Sequence, residues 1–537
     1  MKKLYIFLSF FSIFTFSNYQ FILGQSCEYR YKSRTFNSIQ IFRGVAYSKN
    51  APKLIAASLG TETTLNQDLV MDIFMPPPTD TVTKRPLLII GHGGGFINVA
   101  FMGGTLLVGT KDNDDIQALC DTLAHWGYVT ACIEYRTGFD IASTTSIKRA
   151  VWRGAQDMST ALRFFRKNAN WFNIDTERVF TGGSSAGAFC AIHSTFIDYQ
   201  ERIPESYQVT PFVMTDLGAL HSRPVVELTG FNPFSGNNVP ANDVDSIPLG
   251  LVAYWGAIAD TAMFAGTNKA AIRMFHGTAD PIVSSQCAQP FANVVLTAPV
   301  TCGSEIMDIA LTAQNIPHQL TLAPGESHEY WGVLNGTWTT TGPNAYWLPI
   351  IESTADYFYN LMRPAAPQVN VPAACAPNTI YTFSVINPVS SSAYCWEIDG
   401  GTIVSPLPYG NSIDVMFYTT TASGAVKCRQ LDEADVASLQ RVKLVNVSTL
   451  AGTDIIDNDT DFSINPNPGN DYIDITFQTL ENKKSELEVF DFLGRSCGKH
   501  TVIDQFIRID ISTYPSGQYL LRAYIGNKFI TKIFEVR

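Results

Sequence analysis

Between residues 66 and 362 short apolar runs alternate with stretches whose apolar positions recur at helical spacing, the pattern of strands joined by crossover helices in a mostly parallel sheet. Residues 69–74 and 86–91 read as strands, 116–126 as a helix, 128–135 as a strand and 147–168 as a helix. A strand at 178–182 runs into a glycine-rich turn and an apolar helix at 188–196. Three further strands, at 249–255, 271–276 and 319–323, precede a closing helix at 346–361. Residues 200–246 fit neither period, because Pro, Gly and Asn interrupt them. So long an irregular stretch inside a compact unit is unusual unless it is functional, so it is read as a cap over the site.

Beyond Pro364 and Pro367 the texture changes to short β-rich segments bounded by Gly, Pro, Asn and Ser. The expected class is therefore an α/β unit over residues 26–363 followed by two small β-sandwiches, at 368–450 and 462–537. The first, with Trp396 on a strand and Gly400 and Gly401 after it, resembles PKD-like and immunoglobulin-like modules of secreted bacterial proteins. In the second, residues 464–469 (INPNPG), 487–494 and 509–520 resemble the C-terminal sorting domain of the type IX secretion system. That resemblance implies the type IX machinery as a partner, passage across the outer membrane, and a mature protein that is released or attached to the cell surface.

The N-terminus fits export. Lys2 and Lys3 precede an apolar stretch at 4–16, the layout of a secretory signal over residues 1–25. Its apolar part falls short of the roughly 20 residues a membrane span needs, so no transmembrane segment is expected after cleavage. A net charge of -11 argues against nucleic acid or an anionic membrane as partner, since both require a basic face. Export makes the 10 cysteines potential disulfide partners. Cys287 and Cys302, close together in a loop-like region, are the first pair to expect, whereas Cys120, Cys132 and Cys190 sit in apolar patterns and read as buried thiols. Neither CxxC nor HExxH spacing occurs, and no metal or other cofactor is expected.

Residues 183–187 spell Gly-Ser-Ser-Ala-Gly between a strand and an apolar helix. A nucleophile at such a sharp strand-to-helix turn adopts a strained backbone, and small flanking residues let strand and helix approach while the hydroxyl projects outward. Ser185 occupies the nucleophile position; Ser184 does not, because position 186 is Ala where its elbow would need Gly. Upstream, residues 91–96 (GHGGGF) follow an apolar strand. Such a turn can present the main-chain N–H groups of Gly93 and Gly94 to an oxyanion, with Ala186 N–H completing the hole. The turn lacks the Lys and Ser/Thr of a phosphate loop.

Together these motifs resemble the α/β-hydrolases, specifically the HGGG-containing esterases and lipases, over residues 66–362. The resemblance implies the order Ser, acid, His, with the acid after a later strand and the histidine after the last. Asp280, in residues 275–283 (FHGTADPIV), is the implied acid, and Asp260 its competitor after the preceding strand. His328, in residues 325–330, is the implied base; His318 precedes the last strand and would lie at the wrong sheet edge. His276 is read as ordering the acid loop, His92 as supporting the oxyanion turn, and His125, His193 and His221 as core or surface residues. Phe96, Phe101, Met102, Phe189, Trp255 and Trp331 are candidates for lining an acyl or aryl pocket. The long segment 97–115 departs from many family members, so substrate size is not inherited.

The expected function is a secreted serine esterase acting through an acyl-enzyme on small or polymer-linked esters, among them polysaccharide acyl or feruloyl groups, lipids and polyesters. Two alternatives stand beside it. A serine peptidase of the same fold is disfavoured because residues 26–67 are too short for a propeller that would gate peptide access, and a non-catalytic binding protein would not need all three triad residues.

Overall fold

The computed structural model describes residues 30–58, 61–98, 108–197, 219–230, 232–292, 295–372, 374–405, 409–419, 423–447, 462–477, 485–491, 495–502, 505–525 and 528–537. Eight strands form the central sheet: β1 (Gln40–Ser58), β2 (Thr61–Met75), β3 (Arg85–Gly91), β4 (Val129–Ile133), β5 (Ile174–Ser184), β6 (Gly250–Tyr254), β7 (Ala271–Gly277) and β8 (His318–Ala323). Their order is β1-β2-β4-β3-β5-β6-β7-β8. The β1/β2 and β2/β4 pairs are antiparallel, and every pair from β4 to β8 is parallel. Among the described residues, five helices of ten or more residues accompany the sheet: α1 (Asp114–His125), α2 (Thr144–Lys167), α3 (Ala186–Phe196), α4 (Ser304–Ala313) and α5 (Trp347–Met362).

Period-two alternation within the strands supplies two cores. Leu87, Ile89, Val129, Ala131, Leu251 and Ala253 face α2 and α3, while their neighbours Leu88, Ile90, Cys132, Val252 and Tyr254 face α1 and α5. Local signals start and stop the helices. The Ser143 side chain accepts the Ser146 N–H to cap α2, and Arg166 and Lys167 sit in its last turn, where the helix dipole favours cations. Asp114 and Asp115 occupy the first turn of α1 for the converse reason.

The hairpin β1/β2 extends the sheet well before residue 66, where the apolar alternation begins. Four register shifts interrupt β1, which hides its period in the sequence. Residues 200–218 and 231 of the expected cap lie outside the described residues. The described remainder forms a hairpin, Val225–Leu228 with Gly236–Val239, that packs on α2 and β1, with Asn168 Nδ2 donating to Val226 O at 2.8 Å.

The next sandwich packs a four-stranded sheet on a three-stranded one around Phe383, Trp396, Val415, Phe417 and Val426. The C-terminal sandwich likewise sets three strands against four, around Ile473, Ile475, Leu487, Val489 and Leu521. Cys287 and Cys302 form a disulfide, and Cys120, Cys132 and Cys190 are buried free thiols.

Candidate active site

Parallel strands place the following loops at one sheet edge, where open α/β sheets form their crevices. β3 and β5 are neighbours paired Gly91 to Gly183, so the turn after β3 lies beside the turn into α3. Close packing there depends on glycine. A Cβ on Gly183 would stand 2.1 Å from the Gly187 carbonyl carbon, and one on Gly187 would stand 2.1 Å from Gly91 O. Ser185 joins β5 to α3 with φ 52° and ψ -115°, a conformation expensive for a residue with a side chain. Its N–H is anchored on Tyr254 O at 3.0 Å, and its hydroxyl projects to the cleft.

The Ser185 Oγ lies 2.9 Å from His328 Nε2, and His328 Nδ1 lies 2.6 Å from Asp280 Oδ2. The other carboxylate oxygen, Oδ1, accepts the N–H groups of Ile282 at 2.8 Å and Val283 at 2.9 Å. Burial pushes the Asp280 carboxyl up, but hydrogen bonds from His276 and His328, the His328 charge and the Val283 N–H outweigh it. The net position is well below the ordinary carboxylate range. His276 Nε2 lies 2.8 Å from Val283 O and 3.4 Å from Asp280 Oδ2, while its Nδ1 meets Ser304 Oγ at 2.8 Å, so it orders the acid-bearing loop.

The competitors sit elsewhere. Ser184 Oγ accepts the Trp255 indole N–H at 2.9 Å and is fully buried. Asp260 caps the short helix at Thr261–Ala265 through Ala262 N–H. His318 pairs with Asp308 at 3.2 Å at the start of β8, the opposite edge. His193 is buried, its Nδ1 2.8 Å from Phe189 O, and His221 meets Ser159 at 2.8 Å away from the cleft. His125 lies beside Asp121 at 3.3 Å.

The turn after β3 carries three successive positive φ angles, at Gly94 (98°), Gly95 (59°) and Phe96 (59°). His92 braces it from behind: its ring stacks on Tyr135 at 4.2 Å, its Nδ1 meets Gly93 O at 2.7 Å, and Tyr135 donates its hydroxyl to His92 O at 2.8 Å. On the other side of the cleft edge, Ala186 opens α3, so its N–H has no helical carbonyl to bond. Gly93, Gly94 and Ala186 thus flank Ser185 on adjoining turns.

An apolar cavity of about 60 Å³ adjoins Ser185 and Ala186, with Phe96 and Phe189 in its wall. Among the described residues that line it, Trp255 and Trp331 do not appear; both are fully buried, and Trp255 meets the His328 ring edge-to-face at 6.3 Å. Phe101 and Met102 lie outside the described residues.

Pattern reasoning missed two carboxyls behind the site. Glu329 follows His328 with φ 52°, is buried, and accepts Gly336 N–H at 3.3 Å. Its Oε1 would lie 3.2 Å from a Cβ on Gly93. Asp115 is fully buried, donates its N–H to Gly336 O at 3.3 Å, and has no recorded partner for Oδ2 among the described residues. Burial first, then each other's charge, raises the Asp115 carboxyl; burial raises Glu329 despite the opposing His328 charge. Their sequence separation is why no motif announced them.

Comparison with known proteins follows the same division of the chain. The BD-FAE family model matches residues 71–295, and the secretion system C-terminal sorting domain matches residues 463–536. No curated protein sequence matches the chain. Among solved structures, esterase 2 of Thermogutta terrifontis phosphorylated by paraoxon is 14% identical, covering 57% of this chain and 92% of its own, with a TM-score of 0.34. Its propionate-bound form is 16% identical over 55% and 89%, with a TM-score of 0.34, and its apo form 15% identical over 58% and 93%, with 0.33.

Proposed function

Because the chain carries a BD-FAE α/β-hydrolase domain of the carboxylic ester hydrolase class, and a type IX sorting domain that marks it as secreted or attached to the cell surface, we propose that Ser185, His328 and Asp280 hydrolyse esters through an acyl-enzyme. The observation that supports this most directly is the unbroken chain of contacts from Ser185 Oγ to His328 Nε2 at 2.9 Å and from His328 Nδ1 to Asp280 at 2.6 Å.

In this reading His328 Nε2 takes the Ser185 proton as Oγ attacks the ester carbonyl, and Asp280 holds the Nδ1–H tautomer and stabilises the imidazolium. A carboxylate held well below its usual range stays ionised throughout the working pH. The N–H groups of Gly93, Gly94 and Ala186 receive the oxyanion, each such donor being worth about 3 kcal/mol where one has been removed. His328 then protonates the leaving alcohol, and water, activated by the same imidazole, releases the acid. The positive end of α3 behind Ser185 favours the developing negative charge.

The test pairs the purified protein with Ser185→Ala. A fluorophosphonate probe and p-nitrophenyl butyrate should label and be turned over by the first and not by the second. Equal labelling and turnover of both would overturn the nucleophile assignment.

A further inference from the structure

Glu329 follows His328 in the chain and reaches back to the oxyanion turn, in a place where a glutamate is costly twice over. Its backbone sits at φ 52°, where residues with a side chain are strained, and it is only 4% exposed. Glycine would relieve the backbone and an apolar side chain the burial, so the carboxyl is there for another reason. Given the reading of Ser185 as nucleophile and His328 as base, we propose that Glu329 is a positioning residue: its uncharged carboxyl props the oxyanion turn at Gly93 and ties the His328 loop to Gly336, and its ionisation at alkaline pH disables the site.

Both carboxyl oxygens are placed for that work. Oε1 is the nearest atom to the place a Cβ on Gly93 would occupy, at 3.2 Å, ahead of Ser184 O and Oγ at 3.7 Å. It packs on the bare side of a residue whose amide is assigned to the oxyanion. Oε2 accepts the Gly336 N–H at 3.3 Å. Gly336 is itself fixed, in the turn of the hairpin Val333–Leu334 with Thr337–Trp338, where Asn335 (φ 51°) and Gly336 (φ 76°) are both left-handed. Its carbonyl accepts the Asp115 N–H at 3.3 Å, and the Trp338 N–H donates to Asp114 Oδ2 at 2.9 Å. Glu329 thus joins the base's loop, the oxyanion turn and the start of α1 into one support. Acyl transfer needs base and oxyanion donors in register only as the barrier is crossed, so losing this support should fall on kcat and not on KM.

The surroundings keep that carboxyl neutral. Burial is the largest influence and opposes its charge, as does Asp280, while His328 and the Gly336 and Asn335 N–H groups favour it; the balance lies above the ordinary carboxylate range. From α1 the facing group is Asp115, with Asp114 beside it. Asp115 is fully buried, the Glu329 charge raises it, and its Oδ2 has no partner among the described residues, so the two carboxyls titrate as a pair. Across the turn stands His92, with Glu134 4.0 Å from its Nε2. An ionised Glu329 would set a negative charge behind Gly93, against the oxyanion that the turn receives, so the working form is the neutral one.

The experiment follows kcat and KM of the full-length protein for p-nitrophenyl butyrate from about pH 6 to about pH 10, corrected for spontaneous hydrolysis and within the range where a thermal melt shows it folded, beside Glu329→Gln and Glu329→Ala. Wild-type kcat should fall about tenfold or more toward the alkaline end, with KM changed less than about threefold. Glu329→Gln, of the same shape and neutral at every pH, should keep more than about a tenth of the wild-type kcat at neutral pH and should not show the alkaline fall. Glu329→Ala, which removes the prop, should lose about 100-fold in kcat across the range. A Glu329→Gln profile that superposes on wild type, or a Glu329→Ala variant that melts lower yet keeps its kcat, would overturn the proposal; where Glu329→Ala does not fold, the Glu329→Gln profile decides alone. Ser185→Ala separates this from the reading beneath it: if that variant neither labels with fluorophosphonate nor turns over ester while the Glu329→Gln and wild-type profiles superpose, only the role of Glu329 falls.

Discussion

Asp280→Asn isolates the acid's part in the site, because the substitution keeps size and shape while changing one atom's hydrogen-bonding character. Asn Oδ1 can still accept the N–H groups of Ile282 and Val283, now at 2.8 and 2.9 Å, so the loop keeps its anchor. The amide nitrogen then replaces Oδ2, the atom 2.6 Å from His328 Nδ1. That nitrogen only donates, so His328 must turn an unprotonated Nδ1 toward it and carry its proton on Nε2. A protonated Nε2 cannot accept the Ser185 proton. The lost tautomer, together with the lost stabilisation of the imidazolium, should lower kcat about 10³- to 10⁴-fold, or about 4–5.5 kcal/mol of transition-state stabilisation. The assay is kcat for p-nitrophenyl butyrate and the rate of fluorophosphonate labelling, with a thermal melt to confirm folding. A folded variant that loses less than about tenfold would refute the reasoning.

Three further outcomes are expected. Glu329 and Asp115 have carboxyls raised above their ordinary range, so the stability they contribute is fully present below that range and is lost as pH rises through their raised values. Glu329→Gln, which is neutral at every pH, should therefore gain melting temperature relative to wild type as pH rises above about 5; parallel curves would refute it. The disulfide closes a separation of 15 residues, so Cys287→Ser with Cys302→Ser should cost about 3 kcal/mol in denaturant unfolding, and an unchanged midpoint would contradict this. Deleting residues 462–537 should retain the enzyme in the periplasm, where immunoblotting of cell fractions would find it; undiminished release to the medium would contradict the sorting assignment.

The strands of the sheet were readable because β3, β4 and β6 are buried along their whole length and appear in the sequence as largely apolar runs, with Arg85 at the start of β3 and Thr130 within β4. β1 was not, because Gly44, Pro52 and its register shifts break the alternation, and its pairing depends on β2 rather than on its own residues. Ser185 and the turn at residues 91–96 were legible for a local reason: each needs a backbone geometry that small residues permit. Asp280 and His328 became candidates through their order along the chain once a family pattern was in view, and they lie 2.6 Å apart. Glu329, Asp115 and the cavity wall were hidden because they are products of tertiary contact. The Asp115 N–H and the Glu329 carboxylate meet at Gly336, and part of the described cavity wall comes from residues 283–291 and 295–301.

The two sandwiches stand in different physical relations to the catalytic sheet. Cys395, Leu431, Ala434, Val436 and Ala437 of the first share one apolar cluster with α1 and α5, on the face of the sheet opposite α2 and α3. Polar contacts pin that seam: Tyr31 donates its hydroxyl to Ala434 O at 2.7 Å, Ala437 donates its N–H to the Tyr359 hydroxyl at 2.8 Å, and Arg178 pairs with Asp432. Removing this sandwich would expose core residues of the hydrolase, which is destabilising. The C-terminal sandwich differs, since its apolar cluster contains residues 462–536 alone among the described residues. A domain that keeps its core to itself can be cut away without uncovering another. That separation suits a sorting domain at the end of the chain, and it leaves the first sandwich as a structural wall of the hydrolase.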